Sequence, residues 1–160
     1  MQNFTGFYDS PIGVLKITIQ DDAICKLDLV DSPSKISNSL KHDVFEKASA
    51  QLDQYFEGVR KEFDLPLSLR GTEFQRRVWA ELLNIPYGTR KSYKDIAARL
   101  GDCKKSRAVG MANNRNPVPL IVPCHRVVAS NGSLSGYSLG VAVKAHLLAF
   151  ESASERFVAD

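Results

Sequence analysis

Residue types and spacing point to covalent chemistry in one stretch of the chain. In Asn116-Pro117-Val118-Pro119-Leu120-Ile121-Val122-Pro123-Cys124-His125-Arg126-Val127, a cysteine ends an apolar, proline-stiffened run and is followed by a histidine and an arginine. The reactive form of cysteine is the thiolate, and a free thiol has a pKa of about 8.5. A neighbouring His or Arg, or a helix N-terminus, lowers that value, and a rigid apolar approach fixes the sulfur and limits water. The pattern therefore fits an activated cysteine. Pro117 and Pro119 predict extended backbone up to Cys124. On an extended strand neighbouring side chains point to opposite faces. Cys124 and His125 then meet only if the backbone turns or a water bridges them. The bland alternative for a lone Cys-His pair is a buried structural cysteine beside a surface histidine.

The remaining composition narrows the setting. Cys25, Cys103 and Cys124 are an odd set without a close pair, which argues against a disulfide framework and for a reducing compartment. There is no CxxC pair and His42, His125 and His146 are scattered, so no metal site is expected. The start, MQNFTGFYDSPIG, lacks a basic segment followed by an apolar one, and no run approaches a membrane span. The expectation is an intracellular protein without a membrane partner, cytoplasmic, or nuclear in a eukaryote. Charge is uneven. Residues 1–71 hold 8 Lys+Arg against 11 Asp+Glu, a balance of −3, and residues 72–160 hold 13 against 7, a balance of +6. A basic second half suits a polyanion partner, although a merely solvated surface explains charge alone equally well.

The elements that must position the cysteine can be read from pattern. Residues 4–30 alternate apolar and polar as strands, with turns at Pro11-Ile12-Gly13 and Asp21-Asp22. Residues 31–42 are polar and predict a loop. Residues 44–57 place Ala48, Leu52 and Phe56 at helical spacing, with Gly58 as the stop. Thr72 and Gln75 form a capping box that opens a helix to about Leu83, ahead of Pro86. Ser92 and Asp95 open a second helix, which Gly101 ends, and a third is expected over 106–114. Short helices joined by a tight turn outline a helix-turn-helix. A last helix is expected over 141–150, with Glu151 at its end. The reading is α+β: a small N-terminal α/β domain over 1–68 and a mainly helical domain over 69–160.

Pro123-Cys124-His125-Arg126-Val127 resembles the acceptor-site motif of O6-alkylguanine-DNA alkyltransferases. So do Gly71-Thr72-Glu73-Phe74-Gln75 with Val78-Trp79, Ile85-Pro86-Tyr87-Gly88, Ser92-Tyr93, Arg107-Ala108-Val109-Gly110, Asn116-Pro117 and Gly136-Tyr137-Ser138, all in order. The match is close over 71–151, partial over 51–67, and only in outline over 1–50. The resemblance implies a ribonuclease H-like first domain, a winged-helix-like second one, and no cofactor. It implies irreversible transfer of the alkyl group from O6-alkylguanine, with O4-alkylthymine as a further candidate, to Cys124 after the base is flipped from the duplex. Under it, His125 is the general base through a water, Glu151 orients it, Asn116 braces the backbone, and Tyr93 helps expel the nucleotide and protonates the leaving guanine. The Val127 carbonyl, Tyr137, Ser138 and Pro119 line the pocket.

The resemblance also implies a DNA surface. Ala108, Gly110 and Ala112 would share a small-residue helix face that enters the minor groove of double-stranded DNA, with little sequence preference. Tight helix packing is the ordinary reason for such a face. Arg107 would fill the gap left by the base, and Tyr93 and Ser92 would lie nearby. Arg115, Arg90, Lys91, Lys104 and Lys105 would reach phosphates. A monomer is expected, with cooperative loading on DNA as a further candidate. Leu139 stands where many members have glycine, which would disfavour bulky adducts. Two rival readings stay open: a lesion-sensing relative, which would lack the acceptor cysteine, and an unrelated hydrolase with a Cys-His-Glu triad.

Overall fold

A computed structural model of the chain describes residues 3–30, 41–134 and 136–159, without the side chains of 155–159. The chain divides into two units, Met1–Arg70 and Gly71–Asp160.

In the first unit, strands β1 (Asn3–Ser10), β2 (Gly13–Gln20) and β3 (Ala23–Val30) form an antiparallel meander. The alternation on β2 buries Leu15, Ile17 and Ile19 on one face. Asp21 and Asp22 both take positive φ, 50° and 61°. This is the left-handed pair that a two-residue hairpin needs, and short Asp side chains tolerate it. The predicted loop over 31–42 lies mostly outside the described residues. Helix α1 (Asp43–Phe56) starts at His42, whose ring nitrogen accepts from Val44 N–H at 3.1 Å, and ends before Gly58 at φ 81°. Its buried face runs Phe45, Ala48, Leu52, Tyr55, so Tyr55 takes the place expected for Phe56, which is half-buried. The 3.6-residue period carries the stripe from 52 to 55 rather than to 56.

In the second unit both predicted capping boxes are closed. Thr72 and Gln75 start α2 (Glu73–Leu82), and Ser92 and Asp95 start α3 (Tyr93–Arg99). Gly101, at φ 100°, ends the α3 segment. A single 3-10 turn, Cys103–Lys105, leads into α4 (Ser106–Asn114). Trp79 of α2, 1% exposed, donates its indole N–H to the Ala112 carbonyl at 2.8 Å and so fixes which face of α4 points inward. A short strand β4 (Lys91–Ser92) pairs in parallel with β5 (Val127–Val128). That pairing sets the start of α3 beside the segment that carries Cys124.

Two expectations fail here. Residues 117–123 are not extended. Leu120 has φ 77° and the Val122 N–H bonds back to the Val118 carbonyl at 3.0 Å. The prolines limit φ but do not set the chain's direction. The side chain of Asn116 does, accepting from Val118 N–H at 3.0 Å and donating to the Val122 carbonyl at 2.8 Å. The last helix, α5 (Val141–Ala159), runs past 150 because no Gly or Pro interrupts it. Glu151 therefore sits in the helix interior, not at its end.

Candidate active site

The site grows from the coiled loop. After it the backbone makes a 3-10 turn, Cys124–Arg126, and this turn lets Cys124 and His125 leave the alternation of a strand. Cys124 has no solvent exposure. Its carbonyl accepts from the Asn113 amide of α4 at 3.3 Å, and its N–H bonds the Val122 carbonyl at 2.7 Å. Burial dominates its chemistry and pushes the thiol up to about 11, against opposing help from the Asn116 amide and the Lys144 ammonium. The lowering expected from the adjacent His125 or Arg126 is not what acts; it comes from Asn116 and Lys144 instead, and desolvation outweighs it. The resting sulfur is a neutral thiol.

His125 also has no exposure, which removes the picture of a surface histidine. Its Nε2 lies 2.8 Å from Glu151 Oε2. Its buried Nδ1 has no hydrogen-bond partner among the described residues. Since a carboxylate only accepts, Nε2 is the donor, and the neutral ring keeps its basic lone pair on Nδ1. Burial lowers the affinity of this ring for a second proton, although Glu151 opposes that. Glu151 is 1% exposed. Burial alone would raise its pKa, but His125 and Arg126 together hold the carboxyl far below the usual carboxylate range. The Arg126 guanidinium meets both of its oxygens, Nε to Oε1 at 2.8 Å and Nη2 to Oε2 at 3.0 Å, and its Nη1 donates to the Ile85 carbonyl at 2.8 Å.

Two groups stand close around this core. Lys144 of α5 is fully buried, with Nζ 5.9 Å from the centre of the Tyr93 ring. Burial lowers its pKa, and Cys124 opposes that shift when its sulfur is ionised. Tyr93 is raised by burial and by Cys124. Burial first, then Cys124 and Glu151, raise Tyr137 well above its ordinary value, and its ring centre lies 6.3 Å from that of His125.

An open surface lies beside the site. A cleft of about 460 Å³ is lined by Tyr93, Lys94, Ser106, Arg107, Gly110, Met111, Asn114, Ala129, Ser130 and Gly136. Gly110 faces the Tyr93 ring, where an added Cβ would stand at an ordinary van der Waals distance of 3.8 Å. The small-residue face expected on α4 is divided. Ala108 is exposed with Arg107 and Arg115, but Ala112 is buried on the Trp79 side with Val109 and Asn113. Met111, 58% exposed, holds the outer position instead. Arg90, Lys91, Lys104 and Lys105 are exposed, and Lys105 lies over the Phe74 ring. The Ser92 hydroxyl oxygen is engaged in its capping box, accepting from Asp95 N–H at 3.0 Å. Pro119, Val127 and Tyr137 are buried, Ser138 is exposed and Leu139 is half-buried. A second cleft, of about 500 Å³ between Glu81, Asn84, Lys91, Asp95 and Arg99, includes none of the cysteine set. Among the described residues no group of three or more His, Cys, Asp or Glu is placed to hold a metal, and no helix is long and apolar enough to cross a membrane.

The sequence reading missed Lys144, Arg126 as a clamp, and Asn113. A signal existed for the first: Lys144, Leu147, Leu148 and Glu151 fall at i, i+3, i+4 and i+7, so two charges share one stripe with two core leucines.

Comparison with known proteins covers both units. The family described as 6-O-methylguanine DNA methyltransferase matches through its ribonuclease-like domain at residues 3–69 and its DNA binding domain at 73–153. A methylated-DNA–protein-cysteine methyltransferase of Methanosarcina acetivorans is 42% identical over 152 residues, 92% of this chain and 97% of that one. The crystal structure of Mycobacterium tuberculosis O6-methylguanine methyltransferase matches with a TM-score of 0.85 at 40% identity, covering 96% of this chain and 94% of that one. Mycobacterium tuberculosis OGT in complex with DNA matches with a TM-score of 0.84 at 41% identity, covering 94% and 93%.

Proposed function

The chain belongs to the 6-O-methylguanine DNA methyltransferase family, and from that premise we propose that it repairs O6-alkylguanine in DNA by taking the alkyl group onto Cys124, once per molecule. The observation that carries this reading is a fully buried thiol set among Asn116, Lys144 and a His125–Glu151 pair. It lies in the same unit as an open helix face bearing Arg107 and Arg115.

The chemistry follows from the resting state. The thiol is neutral, so it must lose its proton as it attacks. His125 Nδ1 takes that proton, through a water, and the imidazolium is held by Glu151. Lys144 supports the sulfur's negative charge in a site where burial opposes it. The S–C bond forms as the C–O6 bond breaks, and the leaving guanine takes a proton from Tyr93. That tyrosine is well suited to remain protonated until then, since burial and Cys124 raise its pKa. The product is a thioether. It has no electrophilic carbonyl, so water does not return the thiol and each molecule acts once.

The alkyl carbon is out of reach in stacked duplex DNA, so the base is flipped. Arg107 and Tyr93, which line one cleft, are proposed to stabilise the flipped state. In this reading the outer face of α4 enters the minor groove, with Ala108 giving close approach and Arg115 and the exposed lysines meeting phosphates. Val127, Tyr137, Ser138 and Pro119 enclose the base.

The test is incubation of the protein with duplex DNA carrying labelled O6-methylguanine. One label per chain, located at Cys124 by peptide mass, supports the reading. Label released into solution with repeated turnover means a hydrolase and overturns it.

A further inference from the structure

The mechanism above gives Arg126 no part, yet it is 6% exposed and every nitrogen of its guanidinium is engaged. It forks both oxygens of Glu151, donates to the Ile85 carbonyl, and lies 5.5 Å from the centre of the Tyr87 ring. Its partners come from positions 41 residues before it and 25 after it. We propose that Arg126 is a positioning residue that holds Glu151 by this fork and keeps His125 a neutral, Nε2-protonated imidazole at rest, reserving Nδ1 for the proton of Cys124.

In a site this dry, the number of charges decides which groups hold protons. Glu151 Oε2 accepts from two donors at once, His125 Nε2 at 2.8 Å and Arg126 Nη2 at 3.0 Å. A guanidinium does not deprotonate in proteins, so the carboxylate is already neutralised by Arg126 at every working pH. The groups that face His125 are Glu151 and Lys144 from α5, Arg126 and Cys124 from its own turn, and Tyr137 from the following loop. Of these one is an anion, two are cations, and the thiol and phenol are neutral. A second proton on His125 would put a third cation beside a single carboxylate. It becomes tolerable only when the proton comes from Sγ, because the thiolate then supplies the missing negative charge and the net charge of the site does not change. Arg126 thus ties protonation of His125 to ionisation of Cys124. Without it, Glu151 would be free to draw a proton onto His125 from solvent, and the base would be spent before the substrate arrived. Burial of His125 is the larger influence in this direction, Glu151 opposes it, and Arg126 and Lys144 add to it.

This inference rests on the proposed reading of His125 as the base, but its test needs no alkyl donor. The full-length protein is labelled with nitrogen-15 at histidine, and the His125 ring nitrogens are followed from about pH 5 to 8, the range in which an ordinary imidazole titrates. The wild type should show the neutral, Nε2-protonated tautomer down to a pH well below that of a free imidazole. Arg126→Met should move the titration to higher pH and leave His125 largely imidazolium near neutrality. Its transfer from free O6-methylguanine should fall at least tenfold there and recover as pH rises. Arg126→Lys keeps the charge but not the fork, so it should restore the wild-type titration without restoring the full rate. A wild-type His125 that is imidazolium at neutral pH overturns the proposal whether or not the variants fold. So does an Arg126→Met protein that titrates as wild type. Failure of alkyl transfer in a wild type whose His125 is neutral would instead count against the proposed function.

Discussion

The two units bury different chemistry. At or near zero exposure, the first holds Leu15, Ile17, Ile19, Ile24, Ala48, Leu52 and Tyr55. Its buried Gln51 is satisfied locally, exchanging two hydrogen bonds with the Asp64 backbone at 3.0 and 2.8 Å. The second unit buries Asn113, Asn116, His125, Arg126, Lys144 and Glu151 around a single thiol. Removing polar and charged groups from water is costly unless each finds a partner. An apolar core degrades by degrees when trimmed, whereas a buried charged network fails when any member leaves its partner uncompensated. The second unit also has an apolar core, with Val78, Leu82, Val109, Val118 and Leu147 fully buried, so what sets it apart is the polar and charged network added to that core.

Glu151→Ala should have the largest effect. It leaves Arg126 buried without its anion, which typically costs about 3–5 kcal/mol, and it removes the orienting partner of His125. Both stability, read by chemical denaturation, and alkyl transfer per folded molecule should collapse. Ile17→Ala, at a fully buried position of β2, should cost about 2–5 kcal/mol by cavity formation. Transfer per folded molecule should stay at the wild-type rate. A variant of β2 that slows the chemistry as strongly as Glu151→Ala would erase the distinction between the units.

Lys144→Met should separate charge from packing within the second unit. Its ammonium favours the charged form of Cys124, so its loss should slow transfer roughly tenfold, equivalent to ~1.4 kcal/mol of transition-state stabilisation. The pH–rate profile should move upward. An unchanged profile would mean that Lys144 only fills space.

The smallest effect is on alkaline stability. Burial raises the Cys124 thiol to about 11, above its ordinary value of about 8.5. As pH rises through the ordinary value, the unfolded chain releases this proton while the folded one keeps it, so unfolding becomes more favourable. The Cys124 part of the loss should grow between about pH 8.5 and 11 and be missing in Cys124→Ser. That variant keeps the loss from the raised Tyr93 and Tyr137, which sets in near the ordinary tyrosine value of about 10. Denaturation midpoints measured across that range check it, and a Cys124→Ser protein with the same alkaline slope as wild type would refute the assignment.

What was legible in the sequence was what is local. Both capping boxes, the Asp21-Asp22 turn and the Gly58 and Gly101 stops depend on residues within a few positions, and their pattern is enough. Cys124 and His125 stood out because they adjoin each other in an unusual run. The clamp on Glu151 did not, because its partners are drawn from Ile85, Arg126 and α5, and only the fold brings them together. The loop over 117–123 misled because two prolines suggest extension, while one side chain, Asn116, bends it. Ala112 misled because small residues alone do not say which face of α4 meets Trp79.

The central claim is that Cys124 is the acceptor and that DNA is held elsewhere, by the open face of α4. Cys124→Ser tests both parts in one preparation, with label transfer and DNA affinity measured on the same O6-methylguanine duplex. The Cys124→Ser protein should carry no detectable label and bind the duplex with an affinity within a few-fold of wild type. Transfer at the wild-type rate would contradict the claim.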